Sequence, residues 1–293
     1  MKRQLTIGDY IFDSFIFLIM VIIVVATLYP FLYVLFASFS DALSLAQHRG
    51  LLFRPLGFST AAYRIALNNP MILRAYMNTL TIVVVGTILN IFFTSMSGYV
   101  LSRKRFAARN VIMLMATFTM FFGGGLIPFY LQVRALHLHN TYFALWLPTL
   151  ISTFNLIILR TAYAAVPDSL EESAKIDGAN DMVIYLRIMT PLILPTIAVI
   201  VLFSSVGHWN GWFNAMLFLS NREAFPLQLI LREILVHNTM VDMLVGIPGT
   251  DQEMVGETIK YATIVIATLP ILFVYPFLQK YFIHGMMIGA VKE

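Results

Sequence analysis

The chain has 293 residues, 59% of them hydrophobic and only 12% charged, with a formal net charge of +4 and a mean hydropathy of +0.81. Soluble domains carry about 25% charged residues, so this chain lacks the polar surface to face water on all sides and lipid must solvate much of it. No cysteine is present, which excludes disulfides, iron–sulfur clusters and thiolate metal sites, and the modest positive charge suits basic loops beside a membrane better than a nucleic-acid patch.

Stretches free of Lys, Arg, Asp and Glu run over 14–40, 75–102, 110–133, 135–159, 188–221 and 261–279. A helix needs roughly 20 apolar residues to cross the hydrocarbon. Only helices or closed barrels satisfy the backbone there, and none of these runs alternates apolar and polar residues as a barrel strand would. The sequence predicts an all-α membrane protein, a single transmembrane domain over 1–293 with six spans at about 14–40, 75–101, 110–133, 140–160, 190–213 and 258–280. The first run follows Lys2 and Arg3 as a signal peptide would. It exceeds the 7–15 apolar residues, roughly, of such a peptide and ends in an aromatic stretch at 29–36, so it is expected to stay as a helix.

Six spans place both termini on one side. Arg103, Lys104 and Arg105 make a short, strongly basic loop after the second span, and such loops stay in the cytoplasm; both termini are therefore expected to be cytoplasmic. The segment 41–73 then lies outside, with turn signals at Pro55, Gly57 and Asn69-Pro70. A short outer link at 137–140 follows. The loop 161–189 lies inside, and 214–257 lies outside, with an amphipathic segment at 226–237 and then Gly246-Ile247-Pro248-Gly249.

The inner loop carries the most information. Pro167 cannot continue a preceding helix, and Asp168 or Ser169 can cap the next. Glu171 and Glu172 then fall near a helix start, where the dipole favours acids. Gly178 can adopt positive φ and end the helix, and Asn180 can cap a second short helix running to Pro191. A small-residue patch at Ser173 and Ala174 would let another protein's groove come close.

This loop resembles the EAA signature of ATP-binding-cassette importer permeases, in which Glu-Ala-Ala is followed by a Gly and then by Ile-x-Leu-Pro. The matching residues are Glu172, Ala174, Gly178, Ile188 and Pro191; Ser173 stands where the family prefers Ala and Thr190 where it prefers Leu. Leu56-Gly57-Phe58-Ser59, Tyr63 and the tail at 285–292 resemble the maltose-type sugar permeases. Gly123 to Pro128 and Trp209 to Phe213 resemble a narrower branch that includes importers of complex, sometimes acidic, oligosaccharides. The resemblance implies the type I importer permease fold, with a cytoplasmic coupling helix built from Glu171, Glu172, Ser173, Ala174, Asp177, Gly178, Ile188 and Pro191 that docks into an ATPase subunit. It also implies that Gly289, Ala290, Val291 and Lys292 reach between the ATPase subunits, although Glu293 replaces the usual final Gly. The implied partners are a second homologous permease (making a heterodimer), two ATPase subunits, an extracytoplasmic substrate-binding protein and an oligosaccharide, all at a bacterial inner membrane.

Sugar sites combine aromatic faces with amides and hydroxyls. Trp209, Asn210, Trp212 and Asn214 form such a cluster near the outer end of the fifth span, and Asn155 lies at membrane depth in the fourth. Stacking of Trp209 or Trp212 on a pyranose is one reading; an interfacial aromatic belt is the other. Interhelical hydrogen bonding accounts for the polar residues at depth, Asn155 among them, as readily as a sugar path does. The glycines at 123–125 read either as a hinge or as close-packing residues. No metal ligand set stands out around His137 and His139, and no catalytic constellation is evident. With no phosphate-binding Gly-x-x-x-x-Gly-Lys-Ser/Thr loop, the chain is expected to hold no cofactor, ATP and Mg belonging to the ATPase subunits. The alternative, an ion-coupled secondary transporter, usually buries ionisable residues in its spans, and these runs contain no carboxylate.

Overall fold

The computed structural model describes residues 7–237, 256–273 and 276. They are helical apart from turns and one isolated antiparallel bridge, Ser40 to Phe58. The chain divides into two compact units, one drawing on Met1–Pro70 and Glu233–Thr268 and the other on Met71–Arg232 and Leu269–Glu293.

In the first unit, α1 (Ile7–Ser38) is apolar all round and buries only Ala37 and Ser38 at its end. A helix of that kind is stable only in lipid or inside a large core. Beyond it the chain folds back in two short helices, α2 (Ala42–Gln47), capped by the Asp41 carboxylate that accepts from Ser44 N at 3.1 Å, and α3 (Ala61–Asn68). The Tyr29 hydroxyl accepts from Leu52 N at 2.9 Å, and Ser38 Oγ meets Tyr63 OH at 2.7 Å. Ala37, Leu45 and Leu52 form the core there, with Tyr33 and Tyr261 packed against it.

The second unit is built around α4 (Pro70–Ser102), whose buried face includes Gly86, Asn90, Thr94, Ser95 and Gly98. Small and polar residues at that spacing let helices approach closely and hydrogen-bond in lipid. α5 (Arg109–Phe121) and α6 (Leu126–Ala135) follow, then a tight turn in which His137 and Asn140 have φ of 55° and 60°. The Asn140 side chain accepts from Ser220 N and Asn221 N at 2.9 and 3.0 Å and so pins two loops together. α7 (Phe143–Trp146) tightens into a 3₁₀ turn at Leu147–Thr149, and α8 (Thr153–Ala165) starts from a Ser152 cap. After α9 (Asp168–Ile176) come α10 (Asp181–Val183), a π-helical stretch Ile184–Met189, and α11 (Thr190–Leu192), which form one run; then α12 (Leu194–Trp209), α13 (Phe213–Phe218) and α14 (Leu227–His237), whose residues from Glu233 on belong to the first unit. The amphipathic segment expected at 226–237 is thus a helix, burying Leu227, Leu229, Ile230, Leu231 and Ile234.

Among the described residues three helices are long and apolar enough to span a membrane, Ile7–Ser38, Pro70–Ser102 and Gly256–Phe273, and two bent pairs raise this to five. Three of the expected spans are therefore not continuous helices. The run at 110–133 breaks at the glycine triplet: Gly125 sits at φ +87°, and a Cβ on Gly123 or Gly124 would meet nothing within 4 Å. These glycines interrupt the helix, and among the described residues of this chain nothing packs closely on Gly123 or Gly124. The run at 140–160 bends by 49° between Phe143–Thr149 and Thr153–Ala165, after Pro148. The run at 190–213 bends by 86° between Asp181–Leu192 and Leu194–Trp209. Pro191 and Pro195 flank that corner, and neither can donate the backbone bond that would carry a helix through it. Gly246 to Gly249, the end of the sixth expected span and the tail Gly289, Ala290, Val291 and Lys292 lie outside the described residues.

Candidate functional site

Pro167 ends α8 and starts α9. The expected cap is absent: no side chain caps this helix, and Asp168 is its first residue, paired with Lys104 at 3.1 Å. The other end follows the sequence closely. Gly178 has φ +82°, its N–H donates to the Lys175 carbonyl at 3.0 Å, and Ala179 N reaches the Ala174 carbonyl at 2.9 Å, a helix-ending turn only glycine adopts without strain. Asn180 Oδ1 then accepts from Val183 N at 2.9 Å and starts the next helix.

The helix has two faces. Glu171 and Ala174 are buried, Ala174 against Tyr99, Tyr163, Ile184 and Tyr185, with Ile188 packed on the same cluster. Glu172, Ser173, Asp177, Gly178 and Pro191 are exposed, and Ile176 stands 87% exposed among them. The residues expected to act together thus divide: Glu171, Ala174 and Ile188 fasten the helix, while Glu172, Ser173 and Asp177 face outward.

What fastens it most firmly escaped the sequence reading. Arg103 and Glu171 have side chains only 6% and 8% exposed, and Arg103 Nη1 donates to Glu171 Oε2 at 3.0 Å. The same guanidinium donates to the Tyr163 carbonyl and to Ser102 Oγ and lies over the Tyr99 ring. Lys175 Nζ donates to Glu171 Oε1 at 2.6 Å, and Arg105 bridges Asp181 at 2.8 Å and Glu171 at 3.5 Å. Burial pulls the Glu171 carboxyl upward, but hydrogen bonds and charge from Lys175 and Arg103 outweigh it and hold the group below the usual carboxylate range. The Arg105 hydrogen bond likewise holds Asp181 low. A depressed carboxylate contributes stability above its ordinary pKa and loses it as pH falls through the lowered value, so the lattice is fully charged at neutral pH. The basic triplet 103–105 reads in sequence as an orientation signal alone. The cue to its second role is that the three bases face a loop on the same expected side that carries five acids, Asp168, Glu171, Glu172, Asp177 and Asp181.

A cavity of about 280 Å³ lies in the same unit, lined by polar Asn90, Ser152, Asn155, Ser204, His208 and Asn214 together with apolar Ile82, Leu145 and Phe203. The bend before α8 builds one wall. It frees the carbonyls of Thr149 and Leu150, which Asn90 Nδ2 and Thr94 Oγ1 satisfy at 2.8 and 3.3 Å, as backbone in lipid requires. Ser204 Oγ donates to Asn90 Oδ1 at 2.7 Å and ties α12 to that wall. Of the expected pathway residues, Asn155 and Asn214 line the cavity. Trp209 is buried edge-on against Tyr76, with centroids 5.8 Å apart, and Trp212 lies under the Arg232 guanidinium at 4.2 Å. Asn210 is exposed just past α12. Neither tryptophan is among the lining residues. The sequence places Asn90, Ser152, Asn155 and Ser204 alike among the polar residues at membrane depth, but that they meet around one cavity with His208 depends on two bends that are invisible in a charge-free run.

Gly86 is what lets His208 sit there. A Cβ at Gly86 would meet His208 Nε2 at 2.7 Å and Trp146 Cδ1 at 2.9 Å, both on rigid rings. Gly86→Ala is expected to destabilise the protein by about 1–3 kcal/mol, the usual cost of overpacking. A lowered denaturation midpoint of the purified protein checks this, and an unchanged midpoint would show that the rings yield freely.

Comparison with known proteins agrees with this organisation. Residues 95–288 match the model of the family described as the binding-protein-dependent transport system inner membrane component. The chain is 39% identical, over 96% of its length and 98% of the relative's, to the polygalacturonan/rhamnogalacturonan transport system permease protein YtcP of Bacillus subtilis (strain 168). It is 43% identical to Protein LplC of the same organism, over 91% of this chain and 90% of that one. Among solved structures it superimposes with a TM-score of 0.90, at 31% identity and over 96% of this chain and 100% of the other, on a chain of a bacterial ABC transporter involved in the import of the acidic polysaccharide alginate. The chain belongs to the family of binding-protein-dependent transport system inner membrane components.

Proposed function

We propose that this chain is the permease subunit of an ATP-driven oligosaccharide importer, forming half of the translocation pathway and receiving the ATPase stroke through α9. The observation that carries the reading is the near full-length likeness to permeases of carbohydrate import systems. The two faces of α9 support the assignment of its residues. A buried lattice fixes the helix to its own unit, while Glu172, Ser173 and Asp177 surround the bare side chain of Ile176. Ile176, 87% exposed, adds an apolar side chain to the face that a partner's groove would cover. Membership of a binding-protein-dependent family sets the ion-coupled alternative aside.

In this reading the partners are a second permease, two ATPase subunits that bind ATP and Mg, and an extracytoplasmic binding protein that delivers the sugar. Six spans place both termini and α9 in the cytoplasm. The joint lattice of residues 103–105 with Asp168, Glu171 and Asp181 fits a common side for the two loops. The C-terminal residues Gly289 to Lys292 reach between the ATPase subunits. The cargoes in the relatives' names, polygalacturonan and alginate, make acidic oligosaccharides the first probes.

The test is purification of the chain from cells co-expressing its genomic neighbours. An ATPase subunit is expected to come with the wild type and to be lost from Glu172→Lys, which reverses a charge on the exposed face without touching the lattice. No ATPase with the wild type, or full retention by the variant, overturns the docking assignment.

A further inference from the structure

We propose that the cavity lined by Asn90, Asn155, Ser204, His208 and Asn214 is a subsite for one sugar ring that reads hydroxyl groups and is blind to carboxylates. The inference rests on the importer reading above and concerns which part of the cargo this subunit handles.

The lining sets the chemistry. It offers amides, hydroxyls and one imidazole, with Phe203 as an apolar face, and no Lys, Arg, Asp or Glu. Amides and hydroxyls each donate and accept, which matches the hydroxyls of a pyranose. A carboxylate taken into such a site would lose its hydration without meeting a cation, a large penalty. The acidic groups of a uronic oligosaccharide must therefore be matched elsewhere while the ring's hydroxyl edge is held here.

The lining also divides into scaffold and contact groups. Asn90 and Ser204 are committed, bonded to each other and to the Thr149 carbonyl. Asn155 is 6% exposed, yet among the described residues its side-chain amide makes no hydrogen bond, only its backbone N–H reaching the Ser152 hydroxyl at 3.5 Å. Its small exposure is to the cavity it lines, where water or a ligand can pair with the amide. Asn214 stands half-exposed on another wall. The volume of about 280 Å³ lies just under the range of roughly 300–1,000 Å³ typical of small-molecule sites, room for one ring and not for a chain of them.

The assembled importer, with partner permease, ATPase subunits and binding protein, is tested in vesicles with trigalacturonate and with neutral galactotriose as probes. Asn155→Leu and Asn214→Leu are each expected to cut uptake roughly tenfold, by the same factor for every probe the wild type accepts. Asn155→Lys is expected to do no better than Asn155→Leu. Yield of assembled complex monitors folding, and Asn214→Leu serves if the Asn155 variants do not assemble. Wild-type uptake in both leucine variants overturns the subsite. Recovery of trigalacturonate uptake by Asn155→Lys also overturns it, since the cavity would then seat a carboxylate. A wild-type complex that imports no oligosaccharide at all, with arabino-oligosaccharides and lactose added to the two probes, fails the importer reading itself, whereas the variants are compared with wild type only on a probe that the wild type imports.

Discussion

Arg103→Ala is expected to destabilise the protein by about 3 kcal/mol and to loosen the coupling of ATP hydrolysis to transport. The pair with Glu171 is buried at both ends, 6% and 8% exposed, and removing one member of a buried pair costs about 3–5 kcal/mol because the other is left uncompensated. The lower end applies, since Lys175 at 2.6 Å and Arg105 at 3.5 Å still face the carboxylate. The guanidinium also satisfies the Tyr163 carbonyl and covers the Tyr99 ring, so one substitution removes the buried polar link from α9 to the end of α4 and to α8, leaving the Lys104 and Arg105 pairs and the packing of Ala174. Denaturation midpoints of purified protein measure the first effect; ATP hydrolysed per substrate imported measures the second. The double variant Arg103→Met with Glu171→Leu removes both charges and should regain most of the stability. Equal instability of the double and single variants would mean that packing, and not charge, holds the helix.

The same residues show how far the sequence reaches. The membrane class follows from charge-free runs, because lipid forbids charge whatever the tertiary fold. The end of α9 at Gly178 and the start of the next helix at Asn180 are equally legible, since each depends on one residue's local chemistry. The bends near 150 and at Ile193 are not, because a proline inside an apolar run leaves composition unchanged. Those bends matter most for the candidate site: they free the carbonyls that Asn90 and Thr94 satisfy and bring Asn155 beside Ser204 and His208. Arg103 was hidden for a different reason. Its acidic partner Glu171 lies 68 residues away, and a basic loop beside a membrane already has a sufficient explanation. The split between Glu171 and Glu172 was within reach, because Glu171 and Ala174 share a helix face three residues apart while Glu172 and Ile176 share another.

Gly178→Pro is expected to abolish transport while leaving the protein in the membrane. Proline fixes φ near −65°, whereas the turn holds this residue at +82°, and the substitution also deletes the N–H that donates to the Lys175 carbonyl. The chain could then leave α9 only by another route, which would displace the Asn180 cap and with it the run Asp181–Leu192 that packs Ile184, Tyr185 and Met189 into the core. Gly178→Ala separates turn geometry from crowding: a Cβ there meets nothing within 4 Å, so the cost is conformational alone, about 1–2 kcal/mol. Graded uptake in vesicles, with alanine between wild type and proline and equal amounts of protein in the membrane, is the expected pattern. Normal uptake by the proline variant would mean that α9 transmits nothing through its C-terminal turn, and the stroke would have to enter through Arg103 and α4 instead.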